Sequence, residues 1–359
     1  MRIMRLKSLA FAALALAACD GKREIVASKY TADQCRRLAI TDQATGDLLI
    51  GAEDFAVDWE SGRLFFTAYD RRAVEKAARK KAERLPQGGV YAASLDLLFS
   101  PETQSVSVVS LASPGDIKGG LHPHGLAYDN ANRELVFINR TYDRAGRKWV
   151  MTPKLQRIGA NGEVFVSEPE KTHCAANDVA LAGGELYTTF DHASCNWRAA
   201  MEDIFRAKKS GLADEAGEPV FRKAAFANGL AETGSGALVL AATRENALLV
   251  LSNADGKLET TQRIALPGGP DNLTVTEDGD IIAAVHPKMF RLALNRKLGI
   301  GKAPSRIVRT DLKTGGADIL FDDPKGALYS AATVALETEE GLIAGSVTDD
   351  GFLVCRAQP

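Results

Sequence analysis

The stretch that decides the fold is EDFAVDWESGRLFFTA, Glu53 to Ala68. A polar pair, Glu53-Asp54, leads into an alternating apolar run, Ser61-Gly62 supplies a turn, and a second apolar run returns through Leu64 and Phe66. Alternation on both sides of a Gly-bearing turn reads as an antiparallel hairpin. The same unit recurs as HGLAYDNANRELVFIN from His124, NDVALAGGELYTTF from Asn177 and NGLAETGSGALVLAAT from Asn228. It returns again as DNLTVTEDGDIIAAVH from Asp271 and AATVALETEEGLIAGSV from Ala331. Successive starts lie 71, 53, 51, 43 and 60 residues apart, close to one four-stranded blade per interval. The expected fold is all-β, a six-bladed β-propeller over residues 35–356.

Composition agrees with this reading. Apolar residues make up 45% and charged residues 25% of 359 positions, as in an ordinary globular protein, which excludes a multi-span membrane protein. Lys and Arg number 44 against 46 Asp and Glu, so nucleic acid is excluded as the main partner. Two intervals are long because they carry insertions, the basic helix-prone RRAVEKAARKKAERL (71–85) and WRAAMEDIFRAK (197–208). The second places Trp197, Met201, Ile204 and Phe205 on one helical face. Each insertion is read as a helix packed on the rim or as a lid over one mouth of the propeller.

Residues 1–19 have a basic start, a short apolar run and small residues before Cys19, the pattern of an export signal rather than a membrane span. Leu16-Ala17-Ala18-Cys19 resembles a bacterial lipobox, which makes Cys19 the expected site of lipidation. Residues 20–34 are then a linker, and the expected location is the periplasmic side of the cell membrane, with the lipid as anchor. Setting Cys19 aside leaves Cys35, Cys174, Cys195 and Cys355, an even number for an oxidising compartment. A bridge from Cys35 to Cys355 closes the whole fold and leaves Cys174 and Cys195 to pair locally.

The chemistry is concentrated in the polar pairs. They are Glu53-Asp54, His124-Gly125, Asn177-Asp178, Asn228-Gly229, Asp271-Asn272 and Ala332-Thr333. In a propeller the same point of each innermost strand faces the central tunnel, so five blades project Glu, Asp, Asn or His toward one axis. Carboxylates and carboxamides without Cys suit a hard cation such as calcium better than zinc. A hydrogen-bonded polar plug filled with water is the competing reading. No GxSxG elbow is present.

The ordered motifs GAEDFAV, HPHGLAY, AANDVAL, FANGLAE, GGPDNLTV, AAVHPKMF and AATVALETEEGLIAG resemble the serum paraoxonase/arylesterase family from about Cys35 to Cys355. Gluconolactonase/SMP-30 and strictosidine-synthase-like propellers are more distant neighbours of the same architecture. The resemblance implies two calcium ions in the tunnel and hydrolysis of lactones and aryl esters. By position it assigns Glu53, Asn177, Asn228, Asp271 and Asn272 to a catalytic calcium, and Asp54, Asp178 and the Leu126 carbonyl to a structural calcium. It assigns His124 to a catalytic dyad, with Glu53 or Asp271 as alternative bases, and matches Cys35 and Cys355 to a chain-closing disulfide. It also matches Asp191-His192 to a structural pair. One departure stands out: the second dyad histidine is replaced in Asn139-Arg140, and a guanidinium does not relay protons. The expected function is therefore a calcium-dependent, monomeric hydrolase of small lactones and esters. The alternative is a non-catalytic, calcium-stabilised propeller that binds a ligand or partner.

Overall fold

The computed structural model describes residues 27–112, 114–161, 167–168, 170–255 and 257–357. The expected export signal, Cys19 and the first part of the expected linker lie outside the described residues. Six sheets form the six blades. Their innermost strands are Ala52–Asp58, Pro123–Asp129, Ala176–Ala182, Ala227–Glu232, Gly269–Val275 and Ala332–Glu337, and each pairs antiparallel with the strand that follows it. All six repeats read from the sequence are thus the inner hairpins of blades.

Closure joins the two ends of the propeller. Strand Cys35–Asp42 supplies the fourth strand of the last blade: its first half pairs antiparallel with Phe352–Arg356, setting Cys35 opposite Cys355. Those two cysteines form a disulfide, and Cys174 and Cys195 form a second. Two disulfides are the chemistry of an oxidising, extracytoplasmic compartment. The second half of Cys35–Asp42 pairs parallel with Ser105–Val108. The first blade therefore keeps only three strands, because the segment expected to be its fourth lies on the neighbouring sheet. Just before the propeller, the Lys29 and Tyr30 amides donate to the Ile319 and Leu320 carbonyls, and the Tyr30 ring is buried.

The core lies between successive blades rather than on the axis. Between the last and first blades, the rings of Phe55 and Phe66 meet Phe352 edge-on at 5.3 and 4.9 Å. Burying a phenylalanine side chain of this kind contributes about 1.5–3 kcal/mol.

Besides the five-residue helix Leu95–Phe99, three longer helices stand outside the blades among the described residues. Helix α1 (Arg71–Arg79) is started by the Asp70 carboxylate, which accepts from the Ala73 amide at 2.9 Å, and it pins Val74 against Tyr69 and Leu85. It is shorter than the basic run of the sequence, ending where Lys81 turns left-handed at φ 58°. Helix α2 (Arg198–Phe205) does not pack its apolar residues: Trp197 and Phe205 are each 72% exposed and Ile204 66%. Helix α3 (Met289–Leu298) was not expected from the sequence. It follows the fifth inner hairpin directly, in a stretch whose apolar residues show no clear single face. No helix among the described residues is long and apolar enough to cross a membrane.

Candidate active site in the tunnel

Every innermost strand carries an irregularity at its polar pair. In the second blade Pro123 opposes Asn139 and Leu126 opposes Phe137, so His124 and Gly125 together face one residue of the partner strand. The same two-against-one count holds at Asn177-Asp178, Asn228-Gly229 and Asp271-Asn272. In the first and last blades the register also slips at this point, at Glu53 and at Thr333. A bulge leaves the extra residue outside the ladder and re-aims side chains. Here it turns the pairs toward the axis in two layers.

The upper layer opens into a cavity of about 440 Å³. Glu53, His124, Asn177, Asn228 and Asp271 line it together with Thr333. Its walls come from all three helices, through Arg71 of α1, Asp203 of α2 and Met289, Phe290 and Arg296 of α3. Both insertions noted in the sequence therefore reach one mouth of the tunnel, and a third helix joins them.

Burial raises the pKa of Glu53, but His124, Arg71 and Arg140 outweigh it and hold the carboxyl well below the usual range. Burial also lowers His124 to about 4, with Arg140 acting in the same direction and Glu53 against it. At neutral pH the pair is accordingly a carboxylate beside a neutral imidazole. Nδ1 of His124 lies 2.9 Å from Glu53 Oε2, although the contact is too bent for a well-formed hydrogen bond. Arg71 reaches the other Glu53 oxygen at 3.5 Å. On the far side, Asp271 accepts from the Asn228 carboxamide and lies 2.6 Å from His286 Nε2.

The lower layer is closed. Asp54 accepts from the Phe55 amide at 2.9 Å and from Leu126 of the next blade at 2.7 Å. Asp178 repeats the pattern with Val179 and with Leu230 of its next blade, both at 2.7 Å. The group of Leu126 that meets Asp54 is thus its amide. Asn272 turns below the upper ring and donates Nδ2 to the Glu53 carbonyl at 2.7 Å. Both aspartates are 2% exposed. Burial, then the charge of Asp178, pushes Asp54 well up, and burial raises Asp178 to about 7 against the pull of its two amides. Two carboxylates buried against each other repel unless a proton or a cation lies between them.

The donor chemistry fits calcium. Among the described residues no three His, Cys, Asp or Glu side chains cluster closely enough to hold a metal by themselves. Carboxamide and backbone oxygens have to complete any site, which suits the mixed oxygen shell that calcium accepts.

Arg71 and Arg296 were not singled out from the sequence, whereas His192, matched there to a structural pair, lines the cavity. Arg71 and Arg296 carry no signal beyond lying in or near helical stretches, and only the tertiary fold brings them to the cavity. His192 lies 2.6 Å from Asp191 Oδ1 and 3.4 Å from Asp203. Burial opposes its charge, yet those two carboxylates raise it to about 10, so it is cationic in the cavity wall. Arg140, which stands where the resemblance implies a histidine, is buried behind Glu53 and His124 and acts on both by its charge.

No protein-family model matches the chain, and no curated protein matches it. Among solved structures, a putative gluconolactonase aligns at 17% identity and a TM-score of 0.49 over 92% of this chain and 94% of that one. A gluconolactonase from Xanthomonas campestris gives 16% and 0.49 over 93% and 99%. The periplasmic gluconolactonase of Pseudomonas aeruginosa gives 11% and 0.48 over 86% of each chain. The arylesterase resemblance itself rests on the ordered motifs of the sequence.

Proposed function

We propose that the protein is a calcium-dependent hydrolase of lactones and aryl esters. The observation that carries this reading is the upper ring, where two carboxylates and two carboxamides from four blades converge on one cavity beside a neutral histidine. Glu53, Asn177, Asn228, Asp271 and Asn272 would hold a catalytic calcium, and Asp54, Asp178 and the backbone carbonyl of Leu126, rather than the amide that meets Asp54, a structural one. Bound there, calcium supplies Lewis-acid stabilisation of negative charge developing on a carbonyl oxygen.

The chain's own residues do the rest. His124 is the general base: Glu53 faces Nδ1, which leaves Nε2 to accept a proton from water. A histidine held at about 4 is neutral across the physiological range, so it is free to accept a proton; it is a weak base, and its protonated form gives the proton up readily. Arg140 does not share in the transfer; its charge favours the neutral imidazole and the anionic Glu53. Phe226, Phe290 and Leu292 give the cavity an apolar wall for the body of the substrate. The same proposal places the protein outside the cytoplasm as a monomer tethered through Cys19.

The test is hydrolysis of a panel of lactones and phenyl acetate by the purified protein, with calcium and after chelation. Turnover that requires calcium and disappears in Asn228→Ala, with the fold intact, is the expected result. Bound calcium in a folded protein that turns over no member of the panel overturns it in favour of a ligand-binding propeller.

A further inference from the structure

The cavity holds more positive charge than its acids account for. Glu53 faces His124 and Arg71, Asp271 faces His286, Asp191 holds His192, and Asp203 meets His192 and Arg244. Every carboxylate that lines the cavity thus has a partner in its wall. Arg296 and Lys297, which line the cavity, and Arg140, which is buried outside its lining, do not share in this pairing. Among the described residues none of the three has a carboxylate oxygen within 4.0 Å or donates a side-chain hydrogen bond.

One of these cations is sheltered from water, a second is half-buried, and Lys297 is exposed at the rim. Arg140 is 6% exposed, and its Nε has no hydrogen-bond partner. Arg296 lines the cavity from α3, where the Arg71 guanidinium and then burial push it down to about 10. Arg140 acts on it in the same direction. Glu75 and Glu53 act against them only from a distance, and guanidiniums that repel one another with no carboxylate in contact gain when an anion enters the cavity.

We propose that this cavity selects ligands carrying an anionic group, a carboxylate or a phosphate ester, held by Arg296 and Lys297 with Arg140 reinforcing the field. Guanidinium groups match the planar and tetrahedral oxyanions of both chemistries. If the hydrolase reading holds, the substrate is an acid-bearing lactone or ester whose carbonyl faces the ring while its anion faces α3. That statement about substrate rests on the proposed function; the preference for an anion does not.

The test uses benzenesulfonate, a poor calcium ligand, against its neutral counterpart benzenesulfonamide, with binding to the calcium-loaded protein measured by calorimetry. The sulfonate is expected to bind at least about tenfold more tightly, with a steep dependence on salt. The preference is expected to vanish in the double variant Arg296→Gln, Lys297→Gln, and to persist in Lys257→Gln on the exposed start of a distant strand. In parallel, a γ-lactone bearing a carboxylate is compared with its carboxamide, and a phosphorylated hydroxylactone with the free alcohol; the pair showing the larger ratio of kcat/KM identifies the anion. Equal binding of sulfonate and sulfonamide by the unaltered protein overturns the inference, whatever the turnover. A sulfonate preference without turnover of any lactone leaves the inference standing and removes the hydrolase reading.

Discussion

Glu53 and Asp54 are adjacent in sequence, yet Glu53 lines a cavity of about 440 Å³ while Asp54 is locked to amides of its own strand and the next blade. The contrast repeats around the axis. First positions of the bulged pairs meet open space, and their residue types vary through Glu, His, Asn and Asp. Second positions are governed by crowding. A Cβ on Gly125 would lie 2.3 Å from the Asp178 Cα, and one on Gly229 2.4 Å from the Asp271 carbonyl oxygen. Aspartates therefore occupy the second position in the first and third blades, with glycines between and after them. One bulge thus supplies a reactive surface and its support from neighbouring residues. Substitutions in the upper layer should change turnover with little change in stability, and those in the lower layer the reverse.

The largest effect is expected in the upper layer. Glu53→Gln keeps shape and hydrogen-bonding capacity but removes the charge that faces His124 and Arg71. Lactone turnover is expected to fall about 100- to 1000-fold, the scale of losing one electrostatic partner of a transition state. The thermal midpoint should fall by only a few degrees, because the Arg71 guanidinium loses one counter-charge but keeps Glu75. Steady-state kinetics and a melting curve on the same sample check both halves, and a large loss of stability would blur the distinction between the layers.

Asp178→Ala tests the lower layer. It strands the Val179 and Leu230 amides, each at a cost of about 1–3 kcal/mol when buried and unsatisfied. Relief of repulsion with Asp54 offsets part of this, so a net loss of about 2 kcal/mol is expected from denaturant midpoints. Gly125→Ala should destabilise by about 1–3 kcal/mol through overpacking against Asp178. Normal stability in either variant would mean that the closed layer is not the support described above.

Metal removal separates the layers by pH. Asp178 stands at about 7 in the metal-free fold and near the ordinary aspartate value once unfolded. The fold therefore holds a proton that the unfolded chain releases, and stability from this group falls as pH rises through that window. His122 and His124, both lowered to about 4 chiefly by burial, tilt the curve the other way below their ordinary range. The informative quantity is the difference between calcium-loaded and chelated protein. Calcium displaces the Asp178 proton, so its stabilisation should grow from about pH 4 to about pH 7 and then level off, by several degrees of melting temperature. A calcium effect independent of pH would place the ion away from the Asp54 and Asp178 pair.

The blades and the phase of the polar pairs were legible because alternation, Gly-bearing turns and spacing are local properties of the chain. The bulges that make the pairs useful were not, since a bulge is a relation between two strands. Nor were the cavity walls. Arg71 and Arg296 come from helices over 200 residues apart in sequence, and nothing in either helix announces that they meet. Arg140 was visible only as a departure from a resemblance. The exposed face of α2 defeated the reading of a packed amphipathic helix, because apolar spacing specifies a face and not what covers it.

The smallest effect is expected in the last blade, where the sequence pair Ala332-Thr333 is out of phase by one: the register slips at Thr333 as it does at Glu53, so Thr333 holds the first position and Val334 the second. Thr333 lines the cavity, yet its hydroxyl donates to the Glu53 carbonyl at 3.1 Å, as a second-position residue does. Thr333→Val removes that bond at nearly constant volume. The carbonyl is not orphaned, because Asn272 Nδ2 still donates to it at 2.7 Å. The expected cost is therefore at the low end for a buried hydrogen bond, about 0.5–1 kcal/mol, or about 2 °C in melting temperature. Turnover should stay within about twofold, since Glu53 keeps its side-chain contacts with His124 and Arg71. A turnover loss comparable with that of Glu53→Gln would show that the hydroxyl acts in the upper layer, and that the sixth blade contributes to the chemistry through the same bulge position as the other five.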